Sequence, residues 1–200
     1  MTASPAMLRL QKQARVHLPG VLDDVLLLET FAVLQEFLSD TNVWRKDVTF
    51  NVVAPGTTYT VAPASTASIV RLVGVTDSSG APVTAGMPTI GEVVLANAPA
   101  ADDTYTARFS LTVTDPVGSD GFPYYPEWVL EKYNLELLDG LLGRVMAQPA
   151  KPYTNATLAL LHMRAFKSAK ATAKTETNRQ YLYGNQTWTF PRTFKRTTRL

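Results

Sequence analysis

The spacing of hydrophobic residues changes period twice along this chain, and that change constrains the fold more than any other feature. Over 21–39 the spacing is helical, with Leu27, Phe31, Leu34 and Leu38 on one stripe. Asp23 and Asp24 fall in the first turn, where carboxylates meet the positive end of the helix dipole. From Val43 the period becomes two. Val48, Phe50 and Val52 alternate with polar neighbours, Tyr59 and Val61 continue, 68–76 is β-branched, and Glu92-Val93-Val94-Leu95 is short and strand-like. Tyr105, Ala107, Phe109, Leu111 and Val113 alternate with Thr106, Arg108, Ser110, Thr112 and Thr114, the clearest strand in the sequence. Turn residues at Ala54-Pro55-Gly56-Thr57 and Asp77-Ser78-Ser79-Gly80 separate these runs, so 44–115 reads as a small antiparallel module of about five strands.

After Pro126 the helical period returns. Leu130, Tyr133, Leu137, Leu141 and Val145 form a stripe widened by Leu138 and Leu142, which predicts a helix over 126–147. Gly140 and Gly143 sit inside it, each costing about 1 kcal/mol relative to Ala, and their use is close approach of a neighbouring backbone. Gln148-Pro149-Ala150-Lys151-Pro152 turns the chain. A third helix runs over 154–178, capped by Thr154 or Asn155, with Leu158, Leu161, Ala165, Ala169 and Ala173 on one face. The small residues of that face, Ala165 and Ala169 above all, are expected to pack on Gly140 and Gly143. Residues 1–20 are ambiguous: Met7, Leu8, Leu10 and Ala14 suit a short helix that stops before Leu18-Pro19-Gly20. The expected fold class is therefore α+β: a bundle of three main helices (1–43 and 116–180), an inserted small β module (44–115) and an extended C-terminal tail (181–200).

Composition narrows the chemistry. Hydrophobic residues make up 46% and charged ones 18% of the 200, a globular balance that excludes a disordered chain. The absence of cysteine excludes disulfide frameworks, thiolate metal sites and cysteine nucleophiles. No apolar run approaches the roughly 18 residues of a spanning helix, and Met1-Thr2-Ala3-Ser4-Pro5 lacks the features of a signal peptide, so no membrane partner and cytoplasmic synthesis are expected. His17 and His162 lack a second ligand at metal spacing and are read as structural, with no metal and no cofactor expected. Asp23-Asp24 reads as helix-terminus charge and Asp102-Asp103 as a turn; a glycosidase would need two carboxylates facing each other at about 5–10 Å across a cleft, and none can be paired from sequence. There is no G-x-S-x-G elbow, phosphate loop or dinucleotide fingerprint. Asn155-Ala156-Thr157 and Asn185-Gln186-Thr187 match a glycosylation acceptor, which has no meaning without secretion. No catalytic residue is assigned, and no enzymatic activity is expected.

The net charge of +2 conceals an asymmetry: residues 1–160 carry a net of −6, residues 161–200 a net of +8 with Glu176 as their lone acid. The last twenty residues interleave Tyr181, Tyr183, Trp188, Phe190 and Phe194 with Arg192, Lys195, Arg196 and Arg199. Exposed aromatics of this kind call for a covering partner. Three readings fit: a docking segment that anchors its aromatics and pairs its cations with another protein, a strand folded back on the chain's own β module, or a grip on single-stranded nucleic acid, which the acidic body disfavours.

Four stretches taken in order resemble the head-to-tail adaptor (connector) proteins of tailed bacteriophages. They are Leu18-Pro19-Gly20-Val21 leading through Glu36-Phe37-Leu38 to Val43-Trp44-Arg45; a β insertion between helices; Pro126-Glu127-Trp128-Val129-Leu130-Glu131-Lys132-Tyr133 with 140–146 and Gln148-Pro149-Ala150-Lys151-Pro152-Tyr153-Thr154-Asn155; and the tail Gly184-Asn185-Gln186-Thr187-Trp188-Thr189-Phe190-Pro191-Arg192. The resemblance implies a non-enzymatic virion protein at the head–tail interface, assembled in the host bacterial cytoplasm as a twelve-fold ring beneath the portal. The ring would extend the DNA channel, letting packaged DNA pass without specific binding, and would offer an attachment surface to tail or nozzle proteins. The C-terminal segment would dock onto the portal protein through Trp188, Phe190, Arg192, Phe194, Lys195 and Arg196. The alternative from another class is a carbohydrate- or receptor-binding module of a phage tail, using aromatics of the β insertion such as Tyr59, Tyr105 and Phe109.

Overall fold

The computed structural model describes residues 4–62, 67–114 and 125–180. Among these the chain is α+β, but the expected bundle of three main helices with one small β module is corrected: five helices pack with seven strands in two antiparallel sheets. The helices are α1 (Pro5–His17), α2 (Asp23–Thr41), α3 (Glu127–Lys132), α4 (Asn134–Met146) and α5 (Ala156–Gln180). The strands are β1 (Arg45–Val52), β2 (Thr58–Thr60), β3 (Ser68–Thr76), β4 (Pro82–Val83), β5 (Ala85–Gly86), β6 (Glu92–Leu95) and β7 (Asp103–Thr112).

Two physical details account for the extra helices. In α1, the Ser4 hydroxyl accepts the Met7 N–H at 3.3 Å and Pro5 stands in the first turn, so a short segment starts cleanly. It then buries Ala6, Met7, Leu10 and Ala14, leaving Leu8 exposed. The helix expected over 126–147 is two helices because Tyr133 leaves helical geometry (φ −110°, ψ 32°). Its ring packs on Phe37 with centroids 4.9 Å apart, a contact that takes the side chain into the core at the break. At α5, Asn155 takes the cap, its Oδ1 accepting the Leu158 N–H at 3.0 Å, while Thr154 closes the preceding turn by donating to the Gln148 carbonyl.

The β region departs from one module for a topological reason. The larger sheet has the order β1-β7-β3-β4, and β2-β6-β5 form a second sheet. Strands β4 and β5 are two residues each, too short to show a period, and Pro82 and Gly86 hide them further. In the larger sheet one face gathers Val48, Phe50, Leu72, Val75, Ala107 and Phe109 by cross-strand pairing. The opposite face is polar along most of its length: Asp47 stands across from Arg108, Thr49 from Thr106 and Asn51 from Thr104. At the bundle end that second face is also buried, since α2 covers Ser110 and Thr112; the Thr112 hydroxyl donates to the Gln35 carbonyl at 3.2 Å.

The sheet enters and leaves the helical part at one place. Arg45 pairs with Ser110, and the Leu111 N–H donates to the Trp44 carbonyl at 2.9 Å. Helix α2 joins the layers. It buries Leu26, Thr30, Phe31, Val33, Leu34, Phe37, Leu38 and Thr41, a broader face than the single stripe expected, because α1, α4, α5 and β7 all pack on it. Its two buried threonines bond to the carbonyls of Leu26 and Phe37 and so leave no hydroxyl unpaired. One continuous apolar core runs from Met7 through Phe37 to Phe109 and Val93.

Candidate interaction surface

Helix α5 carries the surface that stands out. Its 25 residues span about 37 Å at 1.5 Å per residue. Ala159, Phe166 and Ala173 recur every seven residues and are buried, with Thr177 extending the line, so the helix sits on the rest of the chain by a narrow seam. This seam lies off the face expected from Leu158, Leu161, Ala165, Ala169 and Ala173. Ala173 is shared, but Leu158 and Leu161 are exposed (41% and 54%), as is Ala165, and Ala169 is half-buried. The glycines of α4 do meet α5, through larger side chains: Gly140 faces Phe166 and Val33, and Gly143 faces Met163. A glycine opposite a phenylalanine fills space as well as two small residues do, so composition could not choose between the two faces.

The exposed part of α5 divides into two flanks of different character. On one side lies a groove of about 580 Å³, floored by Leu160, Met163 and Phe166 and rimmed by Arg164, Lys167 and Lys174. On the other lies a groove of about 390 Å³ bordered by Tyr133, Glu136, Ala165, Ala169, Thr172 and Glu176. Leu158 and Leu161 continue this second flank toward the helix N-terminus, by the 3.6-residue period.

A charge network ties α5 and α4 to α2 beside the first groove, whose lining includes its members Glu36, Asp40 and Lys170. Glu29, Glu36 and Asp40 share one face of α2 by their spacing. Arg144 donates from Nε to Glu29 at 2.8 Å and from Nη1 to Glu36 at 3.4 Å. Lys170 donates to Glu36 and to Asp40, the latter at 2.6 Å. Burial alone pushes the Lys170 ammonium down, but the bonds to Asp40 and Glu36 outweigh it and hold the group above the ordinary lysine range. Sequence reading missed this cluster, although the 29–36–40 spacing facing Arg144 and Lys170 was a usable signal.

The residues expected to dock onto a portal, Trp188, Phe190, Arg192, Phe194, Lys195 and Arg196, lie outside the described residues. The other candidates have local partners. His162 Nδ1 lies 2.8 Å from Asp139 Oδ1, joining α5 to α4, and His17 is exposed in the last turn of α1. Asp102 accepts the Ala54 N–H at 2.9 Å, and Asp103 accepts the Ser78 hydroxyl at 2.9 Å, so this pair stitches loops together. The Ser78 hydroxyl and the Thr104 N–H hold the Asp103 carboxyl below the usual range. Among the described residues no group of three or more His, Asp or Glu side chains is placed to hold a metal ion, and no helix is long and apolar enough to cross a membrane.

The aromatics of the β region form a cluster of their own. Phe50 lies 5.6 Å from Tyr59 and 6.2 Å from Tyr105, centroid to centroid, at tilted and edge-on angles. The Tyr59 hydroxyl donates to the carbonyl of Gly56 at 2.6 Å, and Phe109 is fully buried. These rings pack on one another instead of presenting parallel open faces to a sugar.

No protein-family model matches the chain, and no match to a curated protein is found.

Proposed function

We propose that the chain is a virion structural protein, a head-to-tail adaptor that forms a ring under the portal, extends the DNA channel and offers a surface to the tail. The observation that carries this reading is α5. A helix seated by a narrow seam leaves large apolar side chains on its outside and leads straight into a tail of aromatics and cations without an acid. An isolated monomer gains nothing from exposing Leu158, Leu160 and Leu161 together; a subunit that packs against others does. The resemblance in sequence order supports the same reading. The acidic body suits a channel wall, because every phosphate that a wall neutralises adds affinity and slows passage.

The tail supplies the attachment. Trp188 and Phe190 are residue types that anchor interfaces, and Arg192, Lys195 and Arg196 suit carboxylates at a rim. The test is co-sedimentation of purified chain with portal-containing heads that lack a neck. The full chain is expected to bind, and a chain ending at residue 183 is expected to lose binding. Equal binding by both would reject portal docking through the tail.

A further inference from the structure

We infer that α5 is the contact between copies of this chain, with the basic flank of one copy seated against the acidic, small-residue flank of the next. The inference deepens the ring reading and rests on it for the closure of the assembly.

The two grooves beside α5 differ in the charge of their rims. The first has an apolar floor of Leu160, Met163 and Phe166 under a rim of Arg164, Lys167 and Lys174. Among the described residues none of these three cations pairs with a carboxylate, whereas Lys170 between them is held by Glu36 and Asp40. The second offers Glu136 and Glu176 above Ala165 and Ala169, where a neighbour's side chains can approach the helix closely; Glu176 also lies 3.5 Å from Lys132 in an exposed pair, which a neighbour's lysine would share. The levels along the helix also match. Lys167 and Lys174 are seven residues apart, about 10.5 Å along the axis. Glu136 borders its groove beside Ala165 and Ala169, about two turns before Glu176. Two α5 helices lying side by side in the same direction therefore set Lys167 against Glu136 and Lys174 against Glu176. Leu160 of one copy then covers the Leu158 and Leu161 side of the other.

The geometry also sets the kind of symmetry. The two patches lie on opposite sides of one helix, so the contact joins unlike surfaces and repeats head to tail. Such an interface closes into a ring or runs into a filament; it does not stop at a two-fold dimer. A nucleic acid is a poorer occupant of the basic groove. The apolar floor of Leu160, Met163 and Phe166 gives a phosphate backbone nothing to cover, whereas a neighbour's apolar side chains bury it.

The experiment uses two charge-reversed chains, Lys167→Glu/Lys174→Glu and Glu136→Lys/Glu176→Lys, with sedimentation velocity of the full chain as the readout. The wild type is expected to self-associate at high concentration. Each variant alone is expected to associate at least about tenfold more weakly, since like charges then face each other, and an equimolar mixture is expected to recover assembly. A wild type that stays monomeric at its solubility limit overturns the inference. So does a variant that assembles like the wild type, or a mixture that fails to recover although both variants melt cooperatively. Loss of nucleic-acid binding in the first variant with assembly unchanged overturns it in favour of a nucleic-acid surface. If a double variant does not melt cooperatively, Ala165→Arg at an exposed position gives the same reading: about tenfold weaker assembly supports the contact, and none overturns it. Self-association by the wild type without binding to heads would reject the adaptor reading and leave the contact standing.

Discussion

A Cβ added at Gly140 would lie 2.7 Å from Val33 Cγ1 and 3.0 Å from the Phe166 ring, while one at Gly143 would meet the Met163 side chain at 2.7 and 2.8 Å. The distances are similar and the neighbours are not. Val33 is β-branched and buried, and Phe166 is buried, so neither can yield. Met163 is flexible and 37% exposed, but its backbone N would also lie 3.1 Å from the new Cβ, so turning the side chain does not clear the contact and α5 must shift. Overpacking of about 1–3 kcal/mol, less a helix-propensity gain of about 1 kcal/mol, is therefore expected to lower the stability of Gly140→Ala and of Gly143→Ala by up to about 2 kcal/mol each. Urea unfolding of the two variants checks this, and a midpoint above that of the wild type in either would contradict it. Asn42 is a second such position. It ends α2 in the left-handed region (φ 52°, ψ 33°), and its buried Oδ1 accepts the Ser110 hydroxyl at 2.9 Å. Asn42→Ala strains the backbone and strands that hydroxyl, and should cost about 2–4 kcal/mol. Asn42→Gly relieves the strain but not the lost bond, so its melting temperature should fall between those of Asn42→Ala and the wild type.

Helix α1 shows how an element of weak signal becomes indispensable. It packs on α2, α3 and α4, and Leu10 in its middle is 1% exposed. Leu10→Ala should cost about 2–5 kcal/mol, the range for a buried leucine whose site cannot collapse. A loss below about 1 kcal/mol in denaturant unfolding would mean that α1 docks loosely. The larger sheet has a pH-sensitive tie of its own. Arg108 donates from Nε and Nη2 to the two Asp47 oxygens at 2.6 and 2.7 Å, joining β1 to the central strand. The Arg108 hydrogen bonds hold the Asp47 carboxyl below the usual range despite partial burial. A depressed carboxyl stabilises the fold above its ordinary value near 3.9 and loses that contribution as pH falls through the folded-state value. Both side chains are partly exposed, so the pair is worth a few tenths to about 1 kcal/mol. Asp47→Asn should be less stable than the wild type by that amount at pH 7, and the gap should narrow as pH falls below the ordinary carboxyl value. A gap that stays constant across this range would assign the effect to something other than the carboxylate.

At the scale of the whole molecule, one core spans both layers, with α2 as the shared wall and β7 as the strand it covers. The proposed docking role assigns the last twenty residues to a partner and not to this core. A chain ending at residue 183 is therefore expected to keep the thermal midpoint of the full chain while losing attachment to heads. A large drop in midpoint would instead mean that the tail folds back on its own domain.

The alternation in β7, the helical stripes of α2 and α4 and a cap at Thr154 or Asn155 are legible in the amino-acid sequence, since each depends on neighbours within a few residues. Helix α1 is half legible, because its pattern is thirteen residues long and its packing partners come from distant segments. Three things needed the tertiary structure. The β region divides into two sheets because pairing is a contact between segments, and two-residue strands carry no period. The 126–147 helix breaks at Tyr133 because Phe37, far away in sequence, offers its ring a place. The face of α5 turns away from its small-residue stripe because Gly140 opens room for Phe166, and burying a phenylalanine removes more apolar area from water than burying an alanine. That rotation leaves Leu158, Leu161 and Ala165 outside, which is why the proposed contact between copies lies where the sequence pattern draws a core.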